Sequence, residues 1–559
     1  MRSLMSVPIP GDPPRPAVPD PARVSFGVRA RVAPRPEPPY DRLFDPITHD
    51  VTVEGPLARE RFAARWGDTA TLADLARAKR APLPAPLAAE LADYHRRLGA
   101  SPRSLAALER LARGEAVCAV AGQQPAPLGG PLYSLHKTAT TVGLAAVAGE
   151  RTGVPCVPLF WTHSEDSDFA EIRTATFADA ALTLHEAALP DAAHADGGLV
   201  GAIATGALAA LGEEALRAWE GLPGQAAAAG LLRDSLARAR DLGEAQSALM
   251  LALFADEGLV VVDPRLPEFR AASRPVLERY LERGEALAAA ARAAGAWLEG
   301  RTGRRPLSDA ALESFVFAVE GGARHKLSLA GARAAGAARA LSPSVALRPV
   351  VQDAVFPTVA MACGPGEIAY LAQLREVFEM LEVRAACPVP RLGLTWLPAA
   401  AVALLEASGA EPWEVVTGAD VVLRRLAERS VPAATRADLE RAHAGALAGL
   451  ERLAGSVREV DASLPQMVES ARGKVDYQFQ RLLQGLTGKV RHRLERQHPE
   501  WLRLRYYLLP GDRLQERRLA LLEIVARRGR GVASDLSVLA AEHARALERG
   551  VNEHLVVEL

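Results

Sequence analysis

Disulfide and zinc chemistry have little to work with in this chain. Its 559 residues include four cysteines, Cys118, Cys156, Cys363 and Cys387. They are scattered, and no CxxC pair offers the seed of a zinc knuckle or a disulfide framework. No protein-held metal centre is expected, and a reduced, cytoplasmic setting follows. Net charge is lacking too, with 66 Lys and Arg against 67 Asp and Glu. That balance draws the chain neither to nucleic acid nor to an anionic membrane surface. Nor is there a charge-free apolar run of about twenty residues, the length a membrane-spanning helix needs. From Met1 to Pro39 the sequence is proline-rich without an apolar core of signal-peptide length, so it reads as a flexible tail.

What the chain does have is apolar residue, 49% of the total against 24% charged, the balance of an ordinary soluble globular protein. Its length exceeds what one hydrophobic core supports, so two or three domains are expected. The densest signal lies between Val117 and Ile172. An apolar run, Val117–Ala121, meets a glycine-rich turn, Gly122-Gln123-Gln124 through Gly129-Gly130, then a helical pattern opening at Pro131. A second apolar run, Cys156–Trp161, follows and leads into His163-Ser164-Glu165-Asp166-Ser167-Asp168. Strand, turn, helix and strand make a βαβ unit, and strands without alternation belong inside a parallel sheet.

Ligands of such sheets sit beyond the carboxyl ends of the strands. The turn offers amides at a helix N-terminus, which suits an anion, and His136 and Lys137 lie in the second turn of that helix. Glu165, Asp166, Asp168 and Glu171 leave the second strand at the same edge. A glycine turn alone often serves packing, and an acidic run alone is often a solvated loop. Carried together on one unit they point to polar small-molecule chemistry, with Mg²⁺ a fitting companion.

Two more buried strands follow, Leu259–Val262 and Val355–Ala362. The second runs into Cys363-Gly364-Pro365-Gly366-Glu367 and a helix carrying Tyr370 and Gln373, with Arg348 and Arg391 on either side. Either arginine could hold a carboxylate or phosphate, or a surface acid. The first 70 or so residues after Tyr40 read as a helical layer on the sheet. Past Pro398 long helices take over. Ala446, Leu450, Leu453, Val457, Val460 and Leu464 step by three and four, the spacing of a two-helix seam. Beyond Pro465 a second seam, Val468 to Leu486, predicts an antiparallel helical hairpin over about residues 433–496.

These residues resemble the bacillithiol biosynthesis cysteine-adding enzymes. The matching strings are Gly122-Gln-Gln, Gly129-Gly-Pro-Leu-Tyr133 with His136-Lys137, Val157-Pro-Leu-Phe-Trp161 with Glu165-Asp166 and Asp168, Gly258-Leu-Val-Val-Val-Asp263 and Leu341-Ser-Pro-Ser. They continue through Arg348-Pro, Gln352-Asp353, Gly364-Pro-Gly-Glu-Ile-Ala-Tyr370 and Leu514-Gln-Glu-Arg517. The sequence departs from the pattern at Ser167, where relatives carry His, at Val350-Val351 for Leu-Tyr, and at Cys363 for Gly.

The resemblance implies an α/β fold, a Rossmann-like mainly parallel core with inserted connecting segments over residues 40–400. It also implies a coiled-coil arm over 401–500 used for homodimerisation, and a helical segment over 501–559 packing on the core. The implied activity joins L-cysteine to glucosaminyl-malate, with ATP and Mg²⁺ activating the cysteine carboxylate as an adenylate. On that reading Gly122, Gln123, Gln124, Gly129, Gly130, His136 and Lys137 hold the nucleotide. Glu165, Asp166, Asp168 and Glu367 serve the amines, one as general base. Tyr133, Arg348, Gly364, Gly366, Tyr370, Gln373 and Arg391 bind substrate, an arginine taking the malate carboxylates. Two other functions remain open: a non-catalytic binding homologue, favoured by Ser167, or a nucleotidyl-transferring enzyme acting on another acid.

Overall fold

The computed structural model describes residues 25–37, 40–335, 340–414 and 419–559. In chain order the strands are β1 (Val28–Val32), β2 (Val117–Gln123), β3 (Cys156–Thr162), β4 (Thr174–Ala178), β5 (Leu184–Ala188), β6 (Val260–Val262) and β7 (Val316–Glu320). Then come β8 (Ala323–Lys326), β9 (Ala340–Pro343), β10 (Thr358–Cys363), β11 (Cys387–Pro390), β12 (Gly393–Leu397) and β13 (His554–Glu558). The helices that matter most are α1 (Tyr133–Thr152), α2 (Pro267–Thr302), α3 (Arg348–Val355), α4 (Pro365–Gln373), α5 (Ala433–Val457), α6 (Leu464–Gln497) and α7 (Val532–Glu548).

The core is a five-stranded sheet in the order β11-β10-β2-β3-β6, every neighbouring pair parallel. All of β2 and β10 is buried, as unalternated apolar strands covered on both faces must be. The chain works outward from β2 through β3 to β6, then returns to lay β10 and β11 on the other side. The order therefore reverses between β2 and β10, which opens a crevice at their carboxyl ends. The four expected strands lie in this sheet, with one shift. Residues 348–355 form α3, and Phe356, extended by the demand of Pro357 (φ −110°, ψ 147°), delays β10 to Thr358.

On one face α1 packs against α7 so closely that a Cβ at Gly143 would lie 2.5 Å from the Ala540 carbonyl carbon. The other face is covered by α2 and the helix Ala85–Arg97 around Leu91, Tyr280 and Leu287. A separate antiparallel meander, β8-β7-β9, sits in the segment between α2 and α3.

Two boundaries differ from the sequence reading. Of the supposed tail, Val28–Val32 is a strand, paired antiparallel with β13, which in turn runs parallel to β12. Arg29 pairs with Glu558 there, a contact 529 residues distant in sequence. Residues 1–24, 38 and 39 lie outside the described residues. The segment 501–559, expected to be helical, ends in β13 for the same reason: its apolar His-Leu-Val-Val string completes that second sheet.

The arm consists of two long helices, α5 and α6, with Pro465 in the first turn of α6, where its missing amide costs nothing. The seam passes through Val468 and a stacked His443–Phe479 pair 4.8 Å apart. Leu453 and Val460, assigned to the seam by spacing, are instead 46% and 79% exposed. Val460 lies beyond α5, which stops at Val457, in the connection to α6. Among the described residues no helix is long and apolar enough to cross a membrane.

Three buried histidines set an acid limit on this fold. His95 gives its Nδ1 hydrogen to the Leu91 carbonyl at 2.7 Å and accepts the Val261 amide on Nε2 at 3.0 Å, a neutral imidazole clasping β6. Burial lowers His95, His543 and His554 alike to about 4. Because these values lie below the unfolded one, the unfolded chain binds protons first, and stability is lost as pH falls from the unfolded value towards 4. Each imidazole contributes up to about 3 kcal/mol. Thermal melting should drop across that window, and His95→Gln should show a shallower drop from a lower starting point. An equal slope in both proteins would reject the assignment.

Candidate active site

The crevice between β2 and β10 is bridged by one buried ammonium. Lys137 reaches back from α1 and places its Nζ 3.1 Å from the Gly122 carbonyl, 3.3 Å from Gln123 Oε1 and 2.7 Å from Glu367 Oε2. Three acceptors use its three hydrogens. Glu367 also accepts the Gly364 amide at 2.7 Å, capping α4. From Gln123 the contacts continue: its Nε2 donates to Gln124 Oε1 at 2.8 Å and to the Tyr133 hydroxyl at 3.0 Å. Gln124 Nε2 then donates to Asp166 Oδ2 at 3.3 Å and Glu171 Oε2 at 2.6 Å. The loops after β10, β2 and β3 are thus joined by an unbroken polar chain from Glu367 to Asp166.

Tyr133 forms one wall. The Lys137 ammonium lies 5.9 Å and the Arg391 guanidinium 5.7 Å from its ring centre. Burial, then the Glu171 carboxylate, lifts its hydroxyl to about 12, so it stays protonated. Gly366, on the first turn of α4, faces open space. A helix N-terminus there adds positive potential to that of Lys137 and Arg391. Tyr370, one turn on, has its hydroxyl pushed far above its ordinary value by burial and then by Glu367.

The β3 side holds groups that sequence spacing did not single out. His163 lies over the end of β2, where a Cβ on Gly122 would come within 2.2 Å of its Nε2. A side chain at 122 would therefore have to push His163 aside. Arg348 donates to His163 Nδ1 at 3.0 Å, and burial followed by Arg348 holds the imidazole neutral. Glu165 is committed to Arg270 at 2.6 Å and to the Ser342 hydroxyl at 2.9 Å. Asp166 meets guanidinium nitrogens of Arg324 and Arg348 only at 3.9 Å each, and its Oδ1 accepts the Ser167 and Asp168 amides.

Other expected site residues lie elsewhere or have structural work. Gly129 and Gly130 turn inward: a Cβ at 129 would strike Leu249 and Leu521, the Gly130 amide bonds to Pro127, and its carbonyl accepts the Leu521 amide. They shape a buried turn, and α1 begins at Tyr133 rather than Pro131. Asp168 is exposed and caps the short helix Phe169–Ile172. Gln373 is fully buried and spends both polar atoms on the backbones of Ala291 and Leu307, tying α4 to α2. His136 points away from Lys137 to Glu516, 3.1 Å from its carboxylate.

Glu516 was quoted in the sequence only as part of a string, yet it organises one side of the crevice. It holds Arg391 with both oxygens, one contact at 2.8 Å, and both side chains are almost wholly buried. Burial opposes its charge, but Arg391 keeps the carboxyl well below its ordinary range. No local pattern reveals the pair, since the two residues stand 125 apart. Among the described residues no cluster of three His, Cys, Asp or Glu side chains has metal-holding geometry.

Comparison with known proteins fits this geometry. The model for the N-terminal Rossmann-like domain of BshC, of bacillithiol biosynthesis, matches residues 46–333 and 331–392. The chain belongs to the BshC family. A relative in Solibacter usitatus, named "Putative cysteine ligase BshC", is 30% identical over 76% of this chain and 82% of its own length. A protein of the same name in Geobacillus kaustophilus is 30% identical over 77% and 83%. A third, in Geobacillus thermodenitrificans, is 30% identical over 81% and 88%. The matched segment of the BshC domain contains the whole polar chain from Gly122 to Glu367 as well as Arg391. Glu516 comes from beyond it.

Two substitutions test this account. Gly122→Ala should displace His163 and release Arg348, lowering ligand affinity in the crevice while the circular dichroism of the sheet persists. Glu516→Ala leaves a buried arginine unpaired and should destabilise the fold by about 3–5 kcal/mol in chemical denaturation. A loss under 1 kcal/mol would mean that water reaches Arg391 freely.

Proposed function

We propose that the crevice joins the carboxyl group of L-cysteine to the amine of glucosaminyl-malate, an ATP-dependent amide-forming step that completes bacillithiol. The observation that carries this reading is the continuous polar chain from Glu367 through Lys137, Gln123 and Gln124 to Asp166. It supports the reading because it joins a cation-bearing end, at Lys137, to a carboxylate end, at Asp166, along one sheet edge. The BshC relatives' printed name, a cysteine ligase, supports the choice of reaction.

The residues present fit a nucleotide. Arg391, whose Nε is not used by Glu516 or Leu392, and the N-terminus of α4 at Gly366 would donate to its phosphates, with the charge of Lys137 beside them, and Glu171 is the nearby acid for an accompanying Mg²⁺. Bound there, ATP supplies the activation that turns a carboxylate into an acylating group. Gln123, Gln124 and the protonated Tyr133 would orient the bound groups by hydrogen bonds. Attack needs the neutral amine. Asp166, with no cation among the described residues closer than 3.9 Å, is the carboxylate best placed to accept the proton that amine loses. Glu165 and Glu367, each in a short ion pair, hold the walls instead.

The same reading extends to assembly. Leu453, Val460, Met467, Tyr477 and Leu482 are exposed on the arm, between 46% and 79%. A second copy of the chain covering them would explain these exposed apolar side chains, of which the seam spacing marked Leu453, Val460 and Leu482.

Purified protein incubated with ATP, cysteine and glucosaminyl-malate should yield the ligated thiol by mass spectrometry. Asp166→Asn keeps an oxygen to cap Ser167 and Asp168 but removes the base, so turnover should fall on the order of 10²-fold or more. The melting temperature should change little. Normal turnover in that variant would rule out Asp166. Leu453→Asp with Leu482→Asp should halve the mass in solution without unfolding the core; a wild-type chain that sediments as a monomer would dismiss the dimer.

A further inference from the structure

Two arginines stand over one aspartate on the β3 side of the crevice, and they come from different parts of the fold. Arg348 opens α3, whereas Arg324 lies on β8, in the meander inserted between α2 and α3. Their guanidinium nitrogens approach Asp166 Oδ1 and Oδ2 at 3.9 Å each, the outer limit of an ion pair, and no hydrogen bond forms. Two cations thus share one distant carboxylate. A narrow cleft of about 10 Å³, which a ligand must widen to enter, lies between them, lined by Trp161, His163, Glu165, Asp166, Arg324 and Arg348 among others.

Arg324 is held rigidly for a surface-strand residue. Its side chain is 5% exposed, its Nη2 donates to the Pro343 carbonyl at 2.8 Å, and its guanidinium lies 3.9 Å over the Phe317 ring. Its Nε is buried with no hydrogen-bond partner among the described residues. Burial and then repulsion from Arg348 lower its pKa to about 10, which signals a cation short of negative charge. Glu165, the other acid nearby, attracts Arg324 only from a distance, because Arg270 and Ser342 take its two oxygens.

We infer that Arg324 and Arg348 form a carboxylate clamp that selects the acceptor substrate, with Arg324 as its specificity-determining member. This rests on the ligase reading above and adds where the acceptor's two carboxylates go. A planar guanidinium fork matches a carboxylate in two-point contact. One carboxylate would satisfy the orphaned Nε of Arg324 and the other would meet Arg348. Phosphates belong at the opposite end, where Lys137, Arg391 and the start of α4 converge. Asp166, hydrogen-bonded to Gln124 between the two ends, would then stand beside the amine carried by the clamped acceptor.

The test uses L-malate, L-lactate and inorganic pyrophosphate as separate probes in calorimetric titrations of the full chain. Wild-type protein should bind L-malate and bind L-lactate at least tenfold more weakly. Arg324→Gln should weaken L-malate at least tenfold and leave pyrophosphate within twofold. Arg324→Lys, which keeps the charge and is the fallback should the first variant fold poorly, should recover only part of the affinity. In turnover, either variant should raise KM for glucosaminyl-malate with little change in kcat or in KM for cysteine. Undetectable L-malate binding by wild type, equal binding of L-malate by wild type and Arg324→Gln, or parallel loss of pyrophosphate would each overturn the clamp. If L-malate binding behaves as expected but no cysteine is ligated, the clamp stands and the ligase reading falls. If ligation proceeds and the acceptor's KM ignores residue 324, the reverse holds.

Discussion

The Lys137 ammonium closes the place where the sheet changes direction. A topological reversal leaves two loops diverging from adjacent strands, β2 and β10, with carbonyls and a carboxylate facing each other across a gap. A buried lysine needs all its hydrogens satisfied, and the Gly122 carbonyl, the Gln123 amide and Glu367 do so from both sides. Because Glu367 also caps α4, the same ammonium fixes where that helix begins. Removing either charge would leave the other buried and uncompensated, so the site's shape and the local stability depend on one contact.

A second constraint comes from the far end of the chain. Glu516 enters the core between His136 and Arg391, and α7 packs on α1 through the gap that Gly143 leaves. The crevice is therefore a composite: β2, β3 and β10 supply loops, the inserted meander supplies Arg324, and the C-terminal segment orients Arg391. Such sharing makes the site rigid, since each side chain is held by an element that does not itself bear the chemistry. Away from the site, β1 and β13 bring the two ends of the described residues onto one small sheet.

Much of the scaffold was readable from local pattern. The unbroken apolar runs from Val117, Cys156, Leu259 and Val355 read as buried strands, the last set back to Thr358 by the helix and Pro357, and Gly122 and Gly364 marked the ends of two of them. Gln124, Asp166, Lys137 and Glu367 were identified because each follows such a strand or opens the helix behind it. Gly129 and Gly130 misled for a related reason: a glycine-rich turn before a helix looks the same whether its backbone faces solvent or, as here, the side chains of Leu249 and Leu521. Gln373 misled because spacing places it on the helix that starts in the crevice, while its far end is pinned to Ala291 and Leu307.

By itself the sequence determined the parallel core, the edge of the sheet where polar loops gather, the two-helix arm and the family. Those follow from periodicity, glycine and proline placement and contiguous strings, all of which are local. Only the tertiary structure decided which charges meet. Arg391 finds Glu516 across 125 residues and Arg348 finds His163 across 185. Arg324 reaches Asp166 from an inserted strand with no sequence signal of its own. Charge pairing in a buried site is set by the geometry of packed elements, and a carboxylate's partner in a linear string is unspecified until the sheet has folded and excluded water around it.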